Sequence, residues 1–199
     1  MSHDPLAPIW ARLDSVQPVF FHADLERSLN GVHDRLVDLG VLKESTPSLY
    51  AQCTECGGGH LVRAVWVPNA RTGRDEPRLP CPTCGPVATS TDNLRRWVVD
   101  VPELLDRVCA ATAIKGARAE LVPNHLWFVG TAVWGGRSHQ VCFARATHAR
   151  TRGPVIAALK SRPRAVLLHP TEHAAGLWGR PRSTRPWRWN RWWDSAPTD

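Results

Sequence analysis

The sequence predicts an α+β fold, and three observations carry that prediction. Leu25, Leu29, Val32, Leu36 and Leu39 recur in steps of three and four, the period of one helical face. Two apolar runs, "HLWFVGTAVW" and "HQVCFARA", flank Gly135–Gly136 in the pattern of a β-hairpin. Between these regions lie two C-x2-C hooks, which suit a short module held by side chains and not by a large apolar core. At 199 residues and 43% hydrophobic, the chain has material for one large domain or two small ones. The expected divisions are a helical unit at 1–48, a cysteine module at 49–90, an α+β unit at 91–175 and an Arg/Trp/Pro-rich tail at 176–199.

Taken in order, Leu6, Ile9, Trp10 and Leu13 place a first helix over about 4–15, with Pro5 and Pro8 fixing its start. A short apolar run, "VFF", follows. The stripe in "ADLERSLNGVHDRLVDLGVLKES" is interrupted at Asn30–Gly31, a turn-forming pair that predicts two helices, and Gly40 marks the stop. Two helices with a Gly-containing joint resemble part of a helix-turn-helix or winged-helix unit. Arg35 shares its polar face with Asp34 and Asp38, which suits helix packing better than phosphate contact. Within the cysteine module "LVRAVWV" alternates as a strand does, and "NARTGRDEP" supplies turn residues. "STDNLRRWVVDVPELLDRVCAATAI" reads as a capped helix or a pair of helices, with Leu104, Leu105, Val108, Cys109 and Ala111 on one face. "GPVIAALKSRP" as helix and "RAVLLHP" as strand complete the α+β unit. Cys109 and Cys142 fall on apolar faces and read as core thiols.

Cys53, Cys56, Cys81 and Cys84 form C-x2-C-x24-C-x2-C. Two residues between cysteines let both sulfurs face one ion while backbone N–H groups bond to thiolate. The following glycines, Gly57 and Gly85, relieve the tight turn. Two such hooks supply the four soft ligands that tetrahedral zinc prefers. A redox pair needs one thiol at a helix N-terminus in a βαβ setting, and neither hook is followed by a helical pattern. The stretch over about 50–88 resembles the zinc-ribbon family. That resemblance implies one structural Zn2+ on these four cysteines, and a role in binding nucleic acid or protein more than in chemistry. His60 is the departure, a further donor beside the first hook. Arg63, Arg71, Arg74 and Arg78 lie between the hooks, where they either neutralise a tetrathiolate or grip phosphate.

The net charge of +7 is unevenly placed. Residues 1–100 carry ten basic and twelve acidic side chains, and residues 101–199 carry fifteen and six. The excess is mostly arginine, which forks onto phosphate and stacks on planar rings, although GC-rich coding alone also replaces lysine with arginine. The tail "RPRSTRPWRWNRWWD" sets Arg180, Arg182, Arg185, Arg188 and Arg191 among Trp187, Trp189, Trp192 and Trp193. Arginine anchors phosphate while tryptophan stacks on an unpaired base. The same pair of residue types also dominates protein interface hot spots. Pro181 and Pro186 disfavour a regular amphipathic helix on a membrane.

No catalytic constellation stands out. "HPTEH" at 169–173 matches the H-x-x-E-H order of inverted zinc peptidases, but Pro170 opposes helix through His169. His125, His139 and His148 surround the hairpin without a carboxylate, since residues 121–170 contain no Asp or Glu, so no magnesium-dependent nuclease centre is encoded there. No phosphate-cradling P-loop and no small-molecule site is evident. With no secretory pattern and no apolar membrane span, the expected compartment is the cytoplasm. The expected function is non-enzymatic binding of nucleic acid, DNA before RNA, as a regulator or recognition subunit of a larger assembly. The alternative is an adaptor docking into a protein complex through its tail, and a metal-dependent hydrolase stands third. The order of parts also looks like that of bacterial accessory proteins of mobile-element or antiviral-defence loci, a likeness that transfers no activity.

Overall fold

A computed structural model describes residues 4–29, 31–58, 60–145 and 149–171. In chain order the elements are α1 (Ala7–Leu13), β1 (Val19–Phe21), α2 (His22–Ser28), α3 (His33–Asp38), β2 (Leu42–Ser45), β3 (Tyr50–Gln52), β4 (Leu61–Arg63), β5 (Val65–Pro68), β6 (Asp75–Cys81), β7 (Gly85–Ala88), β8 (Arg96–Val99), α4 (Val101–Ala111), β9 (Ala119–Val122), β10 (Leu126–Trp134), β11 (Arg137–Ala144), α5 (Ala149–Lys160) and β12 (Val166–Leu168). The mixture is α+β, with several small sheets. Among the described residues no helix is long and apolar enough to cross a membrane. The chain divides into two units, one from the described parts of Met1–Pro18, Asp38–Val41 and Val99–Asp199, the other from those of Val19–Val37 and Leu42–Val98.

The second of these units holds α2, α3 and three small sheets, ordered β1-β8-β2, β3-β4 and β5-β6-β7. The helix break falls between Ser28 and His33, where the Asn30–Gly31 pair predicts it. "RRWVV" departs from the helical expectation and forms β8, because Trp97 and Val99 are buried in alternation along it. The helix starts only at Asp100, whose carboxylate accepts from the Glu103 N–H at 2.9 Å as an N-cap. "LVRAVWV" also departs, splitting at Ala64 into strands of two different sheets.

β6 contains Pro77 and Pro80, which a central strand ordinarily rejects for want of an N–H. Residues 75–78 pair with β5 and residues 78–81 with β7, so only Arg78 has partners on both sides. Pro80 therefore has no partner on the β5 side, and on the β7 side Pro77 takes part only by accepting from the Thr89 N–H at 3.2 Å. This staggered pairing makes the cysteine module thin, and its core is small: Ala51, Leu79, Val87 and Leu94 with Cys53 and Cys81.

The other unit is built on the sheet β12-β11-β10-β9. β10 and β11 form the predicted hairpin, and Gly135 and Gly136 both take left-handed φ, +57° and +73°, as a two-residue primed turn requires. β12 runs parallel to β11, so the chain crosses over through α5. Leu126, Cys142, Ala144 and Leu167 pack with Val155 of α5 on one face of the sheet. Trp127 and Phe143 meet at 6.0 Å, and α4 packs on β10. The expected helix and strand after the hairpin are both present.

Candidate metal centre

The four hook cysteines converge. Their sulfurs all lie within 4.8 Å of one another. Cys56 Sγ and Cys81 Sγ, from different hooks, are 3.7 Å apart. Zinc–thiolate bonds of about 2.3 Å in a tetrahedron put sulfurs about 3.8 Å apart, so this donor set fits a metal ion such as zinc. Cys53 and Cys81 are buried, Cys56 is half-buried and Cys84 is exposed. The cluster thus closes the module's core on one side and meets solvent on the other.

Each hook is positioned by a pair of strands. Cys53 directly follows β3, and its N–H donates to the His60 carbonyl just before β4, at 2.9 Å. Cys81 ends β6 opposite Gly85, which starts β7 with φ +73°. In the first hook the tight position is not Gly57, where an added Cβ meets open space, but Gly58. A Cβ there would lie 3.2 Å from the His60 ring.

The sulfurs share charge unequally. N–H groups of Cys84 and Thr83 hold the Cys81 thiol down at about 6, against the opposing effect of burial. Partial desolvation of its sulfur, although the residue itself is exposed, pushes Cys84 up to about 12, with contacts from Cys56, Cys53 and Cys81 adding to it. Burial likewise raises Cys56, helped by Cys53 and Cys81. Crowded sulfurs thus oppose one another's ionisation, and a dication among them reverses that opposition.

His60 Nδ1 sits 3.4 Å from Cys56 Sγ and 3.6 Å from Cys81 Sγ, within reach of a ring N–H···S contact. The residues that group as metal donors are the four cysteines. Arg63, Arg71, Arg74 and Arg78 make no side-chain ion pair among the described residues and touch no cysteine sulfur, so the neutralising role gains no contact. Cys109 and Cys142 stand apart from the cluster, and burial raises each to about 11, as inert core thiols require.

The remaining predicted positions do not assemble into a second centre among the described residues. His169 is 8% exposed, and its Nδ1 lies 2.8 Å from the Thr171 carbonyl. Glu172, His173 and His148 lie outside the described residues, as does the tail that carries Arg180 to Trp193. His139 stacks on Trp134 at 5.9 Å. One feature escapes sequence reading: a cleft of 530 Å³ lined by Phe21, Asp24, Arg27, Tyr50, Gln52 and Leu61, among others. Its walls come from β1, α2, β3, β4 and the loops beside them, and no motif links such distant residues. Comparison of the chain with family models, with curated proteins and with solved structures found no match.

Proposed function

We propose that this chain is a zinc-braced binding protein that holds nucleic acid and performs no chemistry of its own, serving as a regulator or as the recognition subunit of a larger assembly. The convergence of four cysteine sulfurs carries the reading. Four thiolates complete the shell of one Zn2+ and leave no position for substrate or water, so the ion braces the module in place of activating a reactant. Function then falls to the surface, and the surface charge of residues 101–199 favours a polyanion. The arginines of the cysteine module, without carboxylate partners among the described residues, point the same way.

One observation favours a second reading, the adaptor. Leu61, Val65, Trp66 and Val67 are all exposed on the cysteine module, Trp66 at 53%, and an apolar set of this kind suits a protein partner. Affinity purification of the full chain, with both nucleic acid and protein analysed, separates the two. Nuclease-sensitive recovery of nucleic acid supports the first. A stoichiometric protein that survives nuclease treatment supports the second. Repeating the purification after deletion of residues 179–199 shows whether the tail is the anchor.

A further inference from the structure

Residues 121–170 contain no Asp or Glu, yet they form two central strands, an edge strand and a helix of one unit. The absence of acids matters most on α5. Its Val155 side is buried against the sheet, while Arg150, Gly153, Ala157 and Lys160 are exposed at spacings of three, four and three, on the side facing away. Arg152 is exposed on the flank of α5, three residues before Val155, and Arg164 is exposed just past the helix. Among the described residues none of these four cations has a carboxylate partner. The nearest strand to offer one is β9, which packs near α5. Its Glu120 lies opposite Trp127, on the sheet face away from the Leu126–Phe128 side that α5 covers, and accepts from the Asn124 N–H. Arg162 is already engaged, with Gln140 at 3.1 Å and over the Phe128 ring at 5.0 Å.

From this we infer that the outer face of α5 is a docking surface for the phosphate backbone of double-stranded DNA. The inference rests on the nucleic-acid reading above and places it on a folded element. Arg150 and Lys160 stand about 15 Å apart along the helix, with only Gly153, Pro154 and Ala157 projecting between them, so a backbone can lie close. The face carries no aromatic side chain, which excludes the stacking that single strands need. Between the two cations Gly153, Pro154 and Ala157 carry no hydroxyl or amide side chain that would single out a 2′-hydroxyl. What it presents is uncompensated positive charge, which grips a duplex without reading its sequence.

The test uses the full chain with its zinc and a labelled duplex of about 20 base pairs, followed by anisotropy from about 50 to 200 mM salt. The triple variant Arg150→Gln/Arg152→Gln/Lys160→Gln is expected to lower the slope of log K against log salt by about 2–3, the effect of losing three phosphate contacts. All three side chains are exposed, and unchanged zinc content and melting temperature confirm the variant's fold. If the unmodified chain binds duplex and the triple variant keeps its slope, while deletion of residues 179–199 abolishes binding, the α5 surface is wrong and the nucleic-acid reading stands. Tighter binding to single-stranded DNA or to duplex RNA of equal length also overturns the assignment. Failure of the unmodified chain to bind any nucleic acid overturns both.

Discussion

Cys56 Sγ lies 3.7 Å from Cys81 Sγ although the two stand 25 positions apart in sequence. That closure substitutes for a hydrophobic core, because the buried apolar residues around it are Ala51, Leu79, Val87 and Leu94, with only Val62 and Ala64 partly buried beside them. Structural zinc in small modules contributes apparent binding free energies of about 10–16 kcal/mol, more than such a core supplies. The freshly isolated protein is expected to hold one equivalent of zinc by elemental analysis. Chelation, or Cys81→Ser, is expected to collapse amide dispersion over residues 50–88 in NMR spectra while residues of the 126–144 hairpin keep theirs. Full dispersion of 50–88 without metal would overturn the brace.

His60 tests the boundary of the metal shell. Its Nδ1 reaches two sulfurs at 3.4 and 3.6 Å, a spacing that a donor to thiolate and a nitrogen ligand share, and only the grouping of the four cysteine sulfurs sets it apart from them. His60→Ala is expected to leave the stoichiometry at one zinc and weaken affinity about 10–100-fold in a competition titration with a chelator. Loss of the bound equivalent at micromolar metal would instead make His60 a ligand.

The sequence made some elements plain and concealed others, for identifiable reasons. The hooks were legible because cysteine has few uses in pairs, and the helices at 22–38 because Leu25, Leu29 and Leu36 keep helical spacing and are buried as that spacing demands. β8 was concealed because Asp92 and Asn93 look like a helix cap, although the strand pattern of Trp97 and Val99 was present. β6 was concealed by Pro77 and Pro80, since no local rule announces that its two halves pair with different strands. The cleft beside β3 was invisible for a similar reason: its lining is contiguous in space and scattered in sequence.

Gly130 occupies the irregular step of β10, where the register against β11 shifts between Phe128 and Gly130. Next to it Lys115 and Thr131 exchange both backbone hydrogen bonds, at 2.8 and 2.7 Å, which brings the Lys115 carbonyl close. With φ at +134°, an added Cβ at position 130 would meet that carbonyl oxygen at 2.5 Å. Gly130→Ala is expected to cost about 2–5 kcal/mol, combining backbone strain and overpacking, and to lower the melting temperature by about 5–15 °C. Gly153→Ala is the contrasting case, an α5 position with open space around it but directly before Pro154, where the helix gain and the pre-proline clash offset, and it is expected to change stability by less than about 1 kcal/mol. Equal melting temperatures for the two variants would contradict the close approach.

Arg145 is 2% exposed, and its guanidinium is spent on backbone carbonyls. Nε donates to Leu13 O at 2.8 Å, Nη2 to Ser15 O at 2.7 Å and Nη1 to Asn124 O at 3.3 Å. Two of those carbonyls sit at or just past the end of α1, where the helix leaves acceptors unpaired and a cation is favoured. Burial pulls the Arg145 pKa down and Asp14 opposes that effect, so the group is a structural cation held inside the fold. Arg145→Met keeps the length of the side chain and removes every donor, leaving buried carbonyls without partners. The expected loss is about 3–5 kcal/mol, read as a lower urea midpoint. Arg145→Lys restores the charge but cannot fork across three acceptors, so it is expected to recover less than half of that loss. A methionine variant within about 0.5 kcal/mol of the unmodified chain would show that these carbonyls find water instead, and that α1 does not depend on Arg145.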